Sequence, residues 1–229
     1  MKHNDAETPP FVPRLRLMMC LAALAVAFTV SQPPPAHADN AKRPPVPPNI
    51  QAPDGLQVPD GLQVPDGLQV PHGNRAFREG DAIGTQDYIC LPSGWTFFGP
   101  QATLFNELDE QIITHFLSPN PFEQAPNPFE NGLPRATWQD SEDTSKVWGN
   151  TIASVTVDPG AIPWLLLQVV GAQDGPTGGD RLSETTFVQR LNTVGGLAPT
   201  TSCTVGAMAL VPYRADYFFY RAVKRISSK

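Results

Sequence analysis

Charged residues make up only 17% of this 229-residue chain, and histidine and cysteine are scarcer still, with four and three copies. Each shortage closes a class of function. Beyond Ala38, 13 basic residues stand against 20 acidic ones, so phosphate backbones repel the chain, and no basic run interleaved with aromatics offsets that; nucleic acid is not an expected partner. A zinc site needs three or four nitrogen or sulfur ligands, and beyond Ala38 the only histidines are His72 and His115. No serine occupies a G-x-S-x-G elbow, so a Ser/His/Asp arrangement would have to use His115. The glycines of "GAQDGPTGGD", at 171, 175, 178 and 179, lack the dinucleotide spacing, and no helical pattern follows to receive a pyrophosphate. Long apolar runs are missing as well. Leu17 to Val30 has about 14 residues, short of the roughly 20 that cross a bilayer as a helix.

That short run has a different meaning. Arg14 and Arg16 precede it and the small residues Ala36 and Ala38 follow it, which is the pattern of a secretory signal cleaved after Ala38. A secreted or periplasmic protein with no remaining transmembrane span is expected. Cys20 lies near the start of the apolar run, and "LMMC" lacks the small residue that lipidation requires before its cysteine, so lipid anchoring is the lesser reading. Export leaves Cys90 and Cys203, which are expected to pair in an oxidising compartment. Closing a loop of about 100 residues contributes on the order of 4 to 5 kcal/mol in the chain-entropy model.

Proline is abundant, at 26 residues, and concentrated from Ser31 to Pro71. Such a segment cannot donate the hydrogen bonds of a helix or sheet, so residues 39–71 are expected to be an extended or disordered linker. Within it "PDGLQV" recurs three times. Each "VPDG" fits a turn with proline at its second position, and a hexapeptide β-helix is disfavoured because three and a half hexads make little more than one coil. The repeat reads as a spacer whose last copy docks on the following domain.

From residue 72 to 229 the pattern changes to short apolar runs punctuated by Gly, Pro, Asn and Asp. "TQDYICL", "GWTFFGPQATLF", "KVWGNTIASVTV", "AIPWLLLQVV", "TTFVQRLNTV" and "AMALVPYRADYFFYRAV" are the expected strands. The only helix candidate, "ATLFNELDEQIITHFL", fits a strand pair about as well. The continuously apolar run Ile162 to Val170 reads as the most buried strand. In the last strand Val211, Tyr213, Ala215, Tyr217 and Phe219 share one face, with Arg214 and Asp216 on the other. The expected fold is all-β, a single antiparallel β-sandwich or barrel-like domain.

The motifs "GTQDYIC", "GWTFFGPQATLF", "AIPWLLL", "FVQRLNTVGGLAP…C" and "VPYRADYFFY", in this order, resemble DUF3455, an exported family of bacteria and fungi. The resemblance runs from about Val58 to Tyr220. It implies one β-rich domain and an exported location, and no established activity; the dehydrogenase names of some fungal members find no support in the glycine spacing above. Shorter members lack the segment after His115, in which "NPFE" occurs twice.

Candidate site residues are few. His115, flanked by apolar residues, is expected to pack and hydrogen-bond rather than act as a base. Asp140, Glu142 and Asp143, with Ser141 and Thr144, offer the oxygens calcium prefers, but lack the glycine and closing glutamate of the usual loop; a solvated turn is the plainer account. Asp140 and Asp143 are also a carboxylate pair of the type that cleaves glycosides, although sequence does not give their separation. Of four tryptophans the core is expected to claim most, with Trp138 the one left partly exposed for stacking on a sugar. Arg190 and Asn192 are expected on one strand face, able to recognise a carboxylate or amide or to buttress a loop, while Gly195 and Gly196 permit a close backbone approach. The reading is a binding or structural module of the cell envelope or exterior, its partner a glycan or other envelope component. The competing readings are a hydrolase using His115 and the acids near Asp140, and a calcium-stabilised adhesin-like domain.

Overall fold

The computed structural model describes residues 64–118 and 133–223. The secretory signal, most of the proline-rich linker with its earlier repeat copies, the "NPFE" segment and Lys224 to Lys229 lie outside the described residues. Eight antiparallel strands follow one another around a closed barrel: β1 (Asn74–Leu91), β2 (Gly94–Phe105), β3 (Gln111–Ser118), β4 (Arg135–Asp140), β5 (Lys146–Val155), β6 (Trp164–Gln173), β7 (Thr185–Gly195) and β8 (Met208–Ala222). β8 returns to pair with β1 from Asn74↔Ala222 to Ile89↔Met208, so the sheet closes as a barrel rather than splitting into a sandwich.

The helix candidate resolves into the β2–β3 hairpin, with Asn106 organising its turn by accepting the Leu108 and Glu110 amides. β4 was not expected as a strand. Its inward residues Ala136, Trp138 and Asp140 alternate with the outward Thr137 and Gln139 in a segment too short for periodicity to stand out.

Period-2 alternation places the aromatic face of β8 inside: Tyr213, Ala215, Tyr217 and Phe219 are all buried in the core with Ala82, Leu104, Ile113, Val147 and Val188. On β2, β3 and β4 the outward positions Gln101, Thr103, Thr114 and Gln139 are polar. The far end, where β3, β5 and β7 begin, is filled by Leu182 from the β6–β7 connection and by an ion pair between Arg78 and Asp140 at 2.9 Å.

β6 is buried on both faces only from Trp164 to Leu167; Val170 is exposed, and β8 is the more deeply buried strand. The outward half of that β6 burial comes from Val64–Val70. Its Leu68 packs against Trp164, Leu166, Leu191 and Phe218 on the outer wall. The continuous apolar run thus reflects two contacts, the core within and the last repeat copy without.

A disulfide joins Cys90 to Cys203, 113 residues apart in sequence, with Cα atoms 5.9 Å apart. It fastens the long β7–β8 connection to the end of β1. Cys90 N–H donates to the Ala207 carbonyl, the Cys90 carbonyl accepts from Gly206 N–H, and the Trp95 indole donates to the Thr201 carbonyl.

Candidate functional site

The end of the barrel where β2, β4 and β6 begin is open. A cavity of about 420 Å³ enters there, within the range of small-molecule pockets. Its apolar walls include Phe97, Leu117, Ile162, Leu165 and Leu167, and its polar groups are Gln86 from β1, His115 from β3, Trp138 from β4 and Arg190 from β7, with Tyr88 and Tyr217 between them. Four separate strands therefore contribute to one site, and the register of the closed sheet brings them together.

Trp138 is fully buried, which corrects the expectation of an exposed stacking surface. It is an inward residue of β4 opposite His115, and the two rings stack at 4.6 Å with an interplanar angle of 5°. Tyr217 and Phe219 meet it edge-on at 6.0 and 6.1 Å. Among the described residues its indole N–H has no hydrogen-bond partner, nor does the side-chain N–H₂ of Gln86. Leaving a buried donor unpaired costs on the order of 1–3 kcal/mol.

His115 Nδ1 lies 2.8 Å from the Thr137 carbonyl. A carbonyl only accepts, so Nδ1 carries the proton and Nε2 is left as an acceptor. Burial, reinforced by the nearby Arg190 charge and opposed by the Thr137 hydrogen bond, lowers the pKa of His115 to about 3. The ring is neutral at physiological pH and too weakly basic for efficient general-base chemistry.

Arg190 is only 8% exposed. Its Nε and Nη2 both donate to the Pro163 carbonyl, at 3.2 and 2.8 Å, which holds the guanidinium against the cavity wall. Among the described residues, no carboxylate pairs with it. Burying a cation without an anion is expensive, and removing the partner of a buried pair typically costs about 3–5 kcal/mol. Tyr88 closes the wall by donating to the Gly196 carbonyl at 2.7 Å. Gly196, at φ 80°, allows this approach: a Cβ there would stand 2.9 Å from Cβ of Tyr213 and 3.1 Å from Cγ of Gln86.

Asn192 does not share the face of Arg190, contrary to expectation. The strand bulges between Leu191 and Val194, and Asn192 takes φ 49°, a left-handed conformation that asparagine tolerates. The alternation slips there, so Asn192 reaches outward to donate to Asp216 Oδ2 at 2.7 Å. Burial first, then the charges of Asp81 and Glu79, raise the pKa of Asp216 to about 7 against the opposing Asn192 hydrogen bond.

The acidic turn is not part of the cavity. Asp140 pairs with Arg78, and its Oδ1 accepts the amides of Glu142 and Asp143. Asp143 accepts the Ser145 amide and hydroxyl and the Arg181 amide; although burial works against its charge, these donors hold its pKa below the usual carboxylate value. Both carboxylates organise the β4–β5 turn, and neither lines the cavity that holds His115. Among the described residues, no group of three or more His, Cys, Asp or Glu could hold a metal ion. A wider depression of about 640 Å³ lies over β1–β3 around Thr85, Asp87 and Gln101, but none of the unpaired buried atoms faces it.

Gln86 was missed from sequence, although its signal was present: it alternates with Tyr88 and Cys90 on one face of "TQDYIC". No curated protein and no solved structure matches the chain. Residues 71–221, which run from just before β1 almost to the end of β8, match the family described as "Protein of unknown function (DUF3455)". The chain belongs to the DUF3455 family.

Proposed function

We propose that this protein is an exported binding module whose barrel accepts one small amphipathic acid. The observation that carries the reading is the buried guanidinium of Arg190, which has no carboxylate partner among the described residues and faces a cavity with two further unpaired donors, on Gln86 and Trp138. A carboxylate, or another compact anion, satisfies all three donors at once, and charge-assisted bonds of this type are the strong ones. The apolar walls take a hydrocarbon or aromatic body, and His115 Nε2 accepts a hydrogen bond from a ligand hydroxyl. Eight-stranded barrels are wide enough to hold one small ligand. Envelope glycans carrying a uronic or other carboxylate group belong to the same chemistry only where a terminal unit enters the cavity.

The test is a tryptophan-fluorescence titration of the domain with matched pairs of ligands, an aromatic or medium-chain carboxylic acid against its primary amide. The acid is expected to bind roughly tenfold to a hundredfold more tightly, as hydrogen bonds to a charged group of about 1.5–3 kcal/mol imply. Arg190→Met should erase the preference. Equal binding of acid and amide, or a preference that survives Arg190→Met, overturns the reading.

A further inference from the structure

The outer wall of the barrel carries a second binding site, and its occupant is a piece of the chain's own repeat. Val64–Val70 lies on the outer face of β5 to β8 with a 3₁₀ turn at Asp66–Leu68, closed by Leu68 N–H on the Pro65 carbonyl at 2.8 Å. Leu68 is fully buried among Trp164, Leu166, Leu191 and Phe218, and Val64 and Val70 pack at the edges. The Gln189 side-chain amide donates to the Leu68 carbonyl at 2.6 Å, and its oxygen accepts from the Tyr220 hydroxyl at 2.6 Å. The slot therefore reads one apolar side chain, one carbonyl and the turn that presents them.

Every feature that it reads is repeated. The heptapeptide V-P-D-G-L-Q-V at 64–70 recurs letter for letter at 58–64, and residues 52–58 differ only by Ala52 in place of the first valine. We propose that the slot is a receptor for this heptapeptide rather than for one copy of it, and that the three copies compete for it, so the chain docks in interchangeable registers. The copies differ mainly in the connection to β1. Three residues, Pro71–Gly73, bridge the gap when 64–70 is seated, and six or twelve more are needed for the earlier copies. Loop closure scales as the three-halves power of length, so the second register is about fivefold and the third about elevenfold less populated than the first. The repeat thus works as a tether whose free length changes in steps of one hexad while the barrel stays intact.

Deleting a hexad cannot test this, because removal of 59–64 or of 65–70 gives the same chain. Leucine substitutions in the full-length protein do. If only one copy fits, Leu68→Ala removes a fully buried side chain and should raise the unfolding constant by at least about thirtyfold. With interchangeable registers Leu62 replaces it, and the rise is limited to about fivefold. Leu62→Ala alone should change almost nothing, whereas the triple substitution Leu56→Ala, Leu62→Ala, Leu68→Ala should show the full loss. The Trp164 indole resonance gives a second readout: it should keep its position in Leu68→Ala and move in the triple variant. A Leu68→Ala loss as large as that of the triple variant overturns the proposal. So does a triple variant no weaker than Leu68→Ala, or a stability that depends on protein concentration, which would place another molecule's repeat in the slot.

Discussion

The barrel holds an arginine toward each of its ends, Arg78 half-buried and Arg190 buried, and the two are treated in opposite ways. Arg78, at the filled end, meets Asp140 at 2.9 Å and also donates to the Ile112 carbonyl. Arg190, at the open end, donates to the Pro163 carbonyl and acts on the Tyr217 hydroxyl, and among the described residues no carboxylate pairs with it. The first has its counter-ion within the protein, although Arg78 Nε is left without a hydrogen-bond partner among the described residues. The second leaves a charge whose natural complement is an anion from outside. The ion pair sits at one end of the molecule and the cavity at the other.

Substitution should separate the two ends. Arg78→Met leaves the Asp140 carboxylate buried without its cation, and a loss of about 3–5 kcal/mol in urea unfolding is expected, with acid-over-amide ligand preference retained. Arg190→Met should do the reverse, abolishing that preference with a smaller loss of stability than Arg78→Met, because the hydrogen bonds to Pro163 are lost but among the described residues no ion pair is broken. If both variants lose stability equally, the division between the ends fails.

The open end depends on the disulfide for its rim. Replacing Cys90 and Cys203 together with alanine is expected to cost about 2–5 kcal/mol. Hydrogen exchange should rise mainly at Cys90, Gly206 and Ala207, whose amides fasten the β7–β8 connection. Uniform exchange throughout the barrel would show that the bridge does not act locally.

The smallest effect separates the two sides of the wall, and it is visible only with pH. His115 inside has a pKa lowered from 6.5 to about 3, so its contribution is present above pH 6.5 and is lost as pH falls toward 3, because the unfolded chain takes up a proton that the core refuses. Asp216 outside has a pKa raised from 3.8 to about 7, so its contribution is present below pH 3.8 and is lost as pH rises through 7. Between about pH 4 and 6.5 the two slopes oppose each other, with Glu79 and Asp87, both raised chiefly by burial, acting in the same direction as Asp216. Asp216→Asn removes one slope and should make the change of stability with pH more positive across that window. A slope unchanged from wild type in this variant would mean that Asp216 does not carry the opposing contribution.

Much of the barrel was legible in the chain. Alternation in "VPYRADYFFY" assigns the aromatic face correctly from Tyr213 to Phe219, whose inward residues meet the same core, while Val211 stays half-buried outside it. The choice between sandwich and barrel was not legible, since closure depends on β8 finding β1, a pairing that no local pattern records. The site was half legible for the same reason. His115, Trp138 and Arg190 could be singled out, but their convergence with Gln86 is a property of register around the ring. Asp140 drew attention as an acid in a polar run, yet its partner Arg78 lies 62 residues earlier and only the fold joins them. Asn192 was misplaced by a bulge, which shifts alternation by one residue without altering composition.

The seam between β1 and β8 has a consequence in time. It is the longest pairing in the sheet and joins the two ends of the domain, so the ring cannot be sealed until the final strand is available. Such distant pairing is slow to form compared with local hairpins. A growing or threading chain therefore carries an incomplete barrel, unlocked and still extensible, until its last staves arrive, and the order of synthesis itself postpones the native state.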